Sequence, residues 1–133
     1  HWAMLALDPG RLPASATETA YLAAAAALGR LAPEAARRAY ASALEHWPRS
    51  LAARLGMGNA NYALRDLAGA ADAYRHATID HPGSGDAWNN LAQALHELGR
   101  REEALAAARR AEAIGGPRLP AYRETLEDIR RQP

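Results

Sequence analysis

The sequence predicts an all-α protein, an α-α superhelix of about three helix-turn-helix repeats followed by a C-terminal capping helix. Three observations lead to this prediction. Alanine fills 35 of the 133 positions, whereas Val and Phe are absent and Ile occurs three times, so the residues favoured in sheets are nearly missing. A shift of 34 residues aligns the chain with itself. Within each period, apolar residues recur at the three-four spacing of a helix face.

The 34-residue period is carried by the second helix of each repeat. Three positions within the period align in all three repeats, with small, large and small residues in the first two repeats and Ala108 at the large position of the third. The recurring positions are Ala36, Ala70 and Ala104, then Tyr40, Tyr74 and Ala108, and then Ala43, Ala77 and Ala111. Since small side chains let helix backbones come close together, we expect these alanines to lie where helices cross. The predicted repeats span residues 15–48, 50–82 and 84–117.

The first repeat opens with Ser15-Ala-Thr-Glu18, which has the form of a capping box. In such a box, Ser15 accepts a hydrogen bond from a free amide and Glu18 reaches back to the cap. This predicts a first helix that ends near Leu28. Proline is favoured at the first position of a helix, so Pro33 predicts the start of the second helix, which continues to about His46.

In the second repeat, the pattern predicts helices over residues 50–64 and 67–80. Gly56 and Gly58 lie inside the first of these helices, where each costs about 1 kcal/mol relative to Ala. We expect close packing at Gly58 to compensate for this cost.

The third repeat has the clearest pattern. Apolar residues predict a helix over residues 84–98, and Gly99 then supplies the left-handed conformation of a helix C-cap. A second helix follows and is closed by Gly115, Gly116 and Pro117.

A last helix is predicted over residues 120–131. Tyr122, Leu126 and Ile129 fall on one side of it, and charged residues fall on the other. A single apolar stripe suits the end of a repeat array, because no further repeat covers the outer face. We therefore expect this helix to act as the cap of one domain that covers residues 15–131.

The third repeat resembles the tetratricopeptide repeat, a 34-residue pair of helices with characteristic Trp, Leu, Gly, Ala and Pro positions. The residues that carry the resemblance are Trp88, Leu91, Leu95, Gly99, Ala104, Ala108, Ala111 and Pro117. The resemblance implies a non-catalytic repeat module that binds other proteins or peptides.

Residues 1–14 do not fit the repeat, and we interpret them as a linker or the remnant of a preceding domain. Followed by tetratricopeptide repeats, they resemble the junction in certain bacterial proteins that carry a papain-like cysteine peptidase domain of the bacteriocin-processing type. Trp2 to Leu7 would then be the last strand of the peptidase, and Gly10 to Ala14 the linker. The chain contains no Cys, so the nucleophile of such a domain is not among these residues.

Composition argues against several classes of function. The formal net charge is +1, so the chain lacks the excess of basic residues that would indicate a nucleic-acid-binding surface. No apolar run approaches the roughly 20 residues that cross a bilayer. The histidines lack the i, i+4 spacing of a helical zinc site, and no serine lies in a nucleophile elbow. We therefore expect no catalytic residue, no metal and no cofactor, while the sequence does not indicate a compartment.

By resemblance, the leading helices of the repeats line a concave groove that binds an extended peptide. The residues that map to this groove are Asn59, Tyr62, Asp86, Asn89, Gln93 and His96. Amide side chains offer one donor group and one acceptor to a peptide backbone, and Tyr or His adds flat apolar contact. Clustered cations are lacking, so no clamp for a terminal carboxylate is expected.

Two functions remain open at this stage. In the first, the groove recruits a partner or substrate chain to an attached domain of a longer bacterial protein, with the peptidase as the suspected domain. In the alternative, the array self-associates into homo-oligomers through Trp2, Trp47 or other exposed apolar surface.

Overall fold

A computed structural model describes residues 17–132, and all regular structure in that range is helical. The helices are α1 (Glu18–Leu31), α2 (Pro33–His46), α3 (Leu51–Ala63), α4 (Leu67–Asp80), α5 (Gly85–Glu97), α6 (Arg101–Ile114) and α7 (Leu119–Arg131). The all-α prediction is confirmed. None of the helices in this range combines the length and apolar character that a membrane span requires. The proposed linker and peptidase strand lie outside the described residues.

The chain divides into two compact units, His1–Asp66 and Leu67–Pro133. Unit 1 contains α1, α2 and α3, and unit 2 contains α4 to α7. The division falls in the turn between the two helices of the second predicted repeat. Each of the three predicted repeats contains two consecutive helices, and we retain the predicted repeat boundaries as a proposal.

The start of α1 differs from the prediction. Its N-cap is Thr17, whose Oγ1 accepts a hydrogen bond from the amide of Ala20 at 3.1 Å. Ser15, the predicted cap, lies outside the described residues. The helix also continues past Leu28 to Leu31, and Pro33 starts α2 as expected. A proline disfavours helical geometry in the residue before it, which explains why α1 stops at this point.

The core of unit 1 is built around two tyrosines and small residues. The buried residues are Tyr21, Ala25, Ala36, Ala39, Tyr40, Ala43, Ala53 and Ala60. The hydroxyl of Tyr21 donates to the carbonyl oxygen of Ala39 at 2.9 Å, and its ring packs against Trp47 with centroids 5.5 Å apart. Ala36 and Ala43 are fully buried, as the period predicted.

A glycine makes the packing of α3 on α2 possible. A Cβ atom added at Gly56 would overlap three ring atoms of Tyr40 at less than 3.0 Å, a separation that real Cβ atoms essentially never show. The prediction placed close packing at Gly58, which is also buried. Within unit 1, however, Gly56 is the position at which the Tyr40 ring leaves no room for a side chain.

In both units, a residue just after the first helix of a repeat has a left-handed backbone conformation. Gly99 follows α5 with φ of 79°, as predicted, and Gly115 and Gly116 also have positive φ. Arg65 occupies the equivalent position after α3, 34 residues earlier, with φ of 63°. A non-glycine residue bears a conformational cost there.

Unit 2 has an alanine-rich core closed by α7. Ser84 caps α5 by accepting a hydrogen bond from the amide of Ala87 at 3.1 Å. Ala104 and Ala111 are fully buried in α6. Helix α7 contacts both α5 and α6. Its buried residues include the predicted stripe of Tyr122, Leu126 and Ile129, and it begins at Leu119, one residue before the predicted start.

Candidate binding surfaces

Unit 1 contains a small cavity that includes one of the predicted groove residues. The unit 1 cavity has a volume of about 180 Å³ and is lined by Ala26, Gly29, Arg30, Tyr40, Gly56, Asn59 and Ala60. Four of these residues are Gly or Ala, and their small side chains leave the space open between the three helices. Asn59 is exposed on α3, so its amide lies at the accessible edge of this cavity.

Tyr40 gives the unit 1 cavity a rigid wall. The residue is 6 % exposed, and burial raises the pKa of its hydroxyl above the ordinary value. The phenol is therefore neutral at physiological pH. A neutral ring held between α2 and α3 presents the apolar surface against which a ligand side chain packs.

Tyr62 lies one turn beyond Asn59 on α3. The guanidinium carbon of Arg65 lies 5.8 Å from the centroid of its ring, within the range of a cation–π contact. The structure therefore places both predicted residues of unit 1 on the same helix, and Asn59 is the one that lines the cavity.

In unit 2, three of the predicted groove residues contact the C-terminal segment, which consists of α7 and its flanking residues Arg118 and Gln132. Asp86 accepts hydrogen bonds from Nε of Arg118 and from the hydroxyl of Tyr122, both at 2.7 Å. Burial raises the pKa of Tyr122 above its ordinary value, and the hydrogen bond to Asp86 raises it further. Asp86 on α5 is therefore hydrogen-bonded both to α7, through Tyr122, and to Arg118, the residue that precedes α7.

The next two turns of α5 show the same engagement. Nε2 of Gln93 donates to Oγ1 of Thr125 at 3.4 Å. Nε2 of His96 lies 3.0 Å from Oε1 of Gln132. Polar side chains that the sequence assigned to a peptide thus already bind the chain's own C-terminal segment.

Asn89 is the fourth predicted residue of unit 2, and it is buried. It is 4 % exposed, and its Oδ1 atom has no hydrogen-bond partner among the described residues. A peptide would reach this amide only after neighbouring side chains moved. The structure groups Asn89 with Asp86, Gln93 and His96 on α5, and their assignment to a peptide stays a prediction.

A second concave surface of unit 2 was not found from the sequence. The unit 2 cleft has a volume of about 330 Å³ and lies between α4, α5 and α6. Its lining residues are Arg75, Trp88, Leu91, Leu95, Glu103, Ala106, Ala107 and Arg110. The sequence had marked Trp88, Leu91 and Leu95 only as the apolar face of α5. The sequence carried no direct signal for this cleft, because its space depends on how α4, α5 and α6 pack.

Unit 1 has a cleft that shares three positions with the unit 2 cleft in the 34-residue register. The unit 1 cleft has a volume of about 310 Å³ and is lined by Arg37, Arg38, Ala41, Met57, Asn61 and Asp66. In the 34-residue register, Met57 corresponds to Leu91 and Asn61 corresponds to Leu95. Asn61 is 7 % exposed and its Oδ1 has no hydrogen-bond partner in the described part of the chain.

The family model of the tetratricopeptide repeat matches the chain twice, over residues 21–85 and 57–118. Together the two matches cover most of the chain and all helices from α2 to α6. The chain belongs to the tetratricopeptide repeat family. A comparison with curated proteins gives no match. Tetratricopeptide repeats generally mediate protein–protein interactions and are typically non-catalytic.

The described residues do not bring together a metal-binding group. Over residues 17–132, no three His, Cys, Asp or Glu side chains are close enough to hold an ion. In unit 2, carboxylates instead pair with arginines of other helices, as Glu103 does with Arg75 and Glu112 does with Arg123.

Proposed function

We propose that this tetratricopeptide protein is a non-catalytic module that binds an extended peptide or protein segment at the unit 1 cavity. The supporting observation is that Asn59, selected from the sequence as a groove residue, lines that cavity beside Tyr40. In this proposal, the bound chain is a partner or substrate of an attached domain in a longer bacterial protein, and that domain is a cysteine peptidase.

The geometry suits one side chain of a peptide together with its backbone. A volume of about 180 Å³ is below the roughly 300 Å³ at which pockets for drug-sized ligands begin. The cavity therefore receives a single apolar side chain against Ala26, Ala60 and the ring of Tyr40. The amide of Asn59 then donates to and accepts from the peptide backbone next to that side chain.

The predicted groove residues of α5 have a different role in this proposal. Asp86, Gln93 and His96 contribute to peptide binding by exchanging their hydrogen bonds with the C-terminal segment for bonds with the peptide. This exchange returns little net free energy, because one set of hydrogen bonds replaces another. Substitution of Gln93 is therefore expected to change affinity only slightly.

The test uses peptides selected for binding to the whole chain from a displayed random library. Ala26→Leu fills the edge of the unit 1 cavity at an exposed position of α1. Ala27→Leu is its matched control, because Ala27 is also exposed and does not line the cavity. We expect Ala26→Leu and Asn59→Ala to weaken binding about tenfold, which corresponds to about 1.4 kcal/mol, and Ala27→Leu to leave it unchanged.

Equal binding of the selected peptides to all three variants would contradict the site. Circular dichroism of each variant checks that helix content is retained. The attached domain is tested separately by the sequence immediately upstream of His1, where a peptidase domain requires a Cys and a His in peptidase-like context.

Self-association remains the second candidate function, and exposed apolar side chains support it. Leu31 is 88 % exposed at the end of α1, and Ile79 is 69 % exposed in α4. Trp47, which the sequence suggested as an assembly residue, is only partly exposed and packs against Tyr21 in unit 1. Light scattering of Leu31→Ser and Ile79→Ser tests this alternative. Assembly through these residues predicts a lower mass for at least one variant.

A further inference from the structure

The unit 2 cleft has an apolar floor. Leu91 and Leu95 are almost fully buried at its base, and the partly exposed indole of Trp88 lies beside them. Ala106 and Ala107 form the wall on α6, where longer side chains would fill the space. The volume of about 330 Å³ is at the lower end of the range for ligand pockets, which corresponds to one or two inserted side chains.

The rim of the unit 2 cleft carries an excess positive charge. Nη2 of Arg75 lies 3.3 Å from Oε2 of Glu103, so this carboxylate already has a cationic partner. The guanidinium carbon of Arg110 lies 5.4 Å from the centroid of the Trp88 ring, and Arg110 forms no ion pair within residues 17–132. The cleft therefore presents one guanidinium that is held in place by an aromatic ring and not neutralised by a carboxylate.

The apolar floor is a property of this repeat and not of the fold. The unit 1 cleft has Met57 and Asn61 at the positions of Leu91 and Leu95. An amide at the base disfavours insertion of an apolar side chain, since its polar atoms would lose access to water. Two clefts of similar volume thus differ in the chemistry of their floors.

We propose that the unit 2 cleft is a second binding site, for an acidic peptide segment that inserts one aliphatic side chain. The side chain packs against Trp88, Leu91 and Leu95, and a neighbouring carboxylate of the segment pairs with Arg110. Charge complementarity selects an acidic partner, and the buried floor selects an aliphatic one. This site uses none of the residues of the unit 1 cavity, so it stands independently of the proposed function.

The experiment titrates the isotope-labelled whole chain with three blocked hexapeptides at about 1 mM, a concentration that detects weak single-site binding. The probes are acetyl-Glu-Leu-Glu-Glu-Leu-Glu-amide, its counterpart with Lys in place of Glu, and its counterpart with Ser in place of Leu. We expect only the first peptide to shift the indole N–H signal of Trp88. The side-chain amide signal of Asn59 reports on the unit 1 cavity and is expected to stay unchanged.

Paired variants then test the two features of the unit 2 cleft. Arg110→Glu is expected to lower the affinity of the acidic leucine peptide about tenfold. Arg109→Glu is its matched control, because Arg109 is exposed on the same helix and does not line the cleft. Ala106→Gln narrows the cleft and is expected to lower affinity, whereas Ala113→Gln, at an exposed position two turns further along, is not.

Three results would overturn the proposal. The first is a Trp88 signal that the acidic leucine peptide does not move. The second is an equal loss of affinity in Arg109→Glu and Arg110→Glu, which would indicate attraction to the overall charge of α6. The third is equal binding of the leucine and serine peptides, because the apolar floor would then contribute nothing.

Discussion

Replacement of Gly56 by alanine tests the packing of α3 on α2. Alanine in a helix interior is favoured over glycine by about 1 kcal/mol, so propensity alone predicts a gain in stability. Overpacking of a core costs about 1–3 kcal/mol. The upper part of that range applies here, because the added Cβ overlaps three atoms of a Tyr40 ring that is itself buried. We expect Gly56→Ala to lower the free energy of unfolding by about 1–2 kcal/mol.

The measurement is thermal unfolding followed by circular dichroism, in which each kcal/mol shifts the midpoint by about 4–8 °C for a unit of this size. Gly29→Ala is the matched control. Gly29 is also in a helix, and its added Cβ would make an ordinary contact at 3.8 Å with the Cβ of Ala36. Gly29→Ala should therefore stabilise the protein by about 1 kcal/mol. A higher midpoint for both variants would refute the overlap with Tyr40.

Three further predictions concern stability. Arg65→Gly removes the strain of positive φ and should raise the free energy of unfolding by about 0.5 kcal/mol, whereas Gly99→Ala should lower it by about 1 kcal/mol; urea titration of both variants measures this difference. Asn61→Leu removes a buried unpaired oxygen and should stabilise by about 1 kcal/mol in the same titration, and a loss would show that this amide has a partner. Burial raises the pKa of Tyr40 and Tyr122 in the folded state, so their contribution to stability is complete below the unfolded pKa of about 10 and decreases as pH rises above it. Unfolding midpoints between pH 8 and pH 11 check the sign, and a midpoint that rises over this interval would contradict it.

Most helix positions were predictable because local chemistry determines them. Proline is favoured at the first position of a helix, as at Pro33, and Ser84 accepts a hydrogen bond from the amide of Ala87 in the first turn of α5. The start of α1 was less determined, since Ser15 and Thr17 both carry a hydroxyl that can cap. The close contact that compensates for a glycine inside α3 was also not predictable. It occurs at Gly56, because the ring of Tyr40 from α2 lies against that position.

The binding residues were harder to predict than the fold, and α5 shows the physical reason. Helical register determines which residues share a face, and the family pattern assigned Asp86, Gln93 and His96 to one face of α5. Neither register nor family pattern determines what covers that face. In unit 2 the covering element is the C-terminal segment, whose residues hydrogen-bond to all three. These side chains already hydrogen-bond to the C-terminal segment. A ligand that binds them must replace those bonds, so the gain in affinity is only the difference between the new bonds and the old ones. The unit 1 cavity opens beside an exposed position of α3 and none of its lining residues belongs to α7, and for this reason it is the stronger candidate.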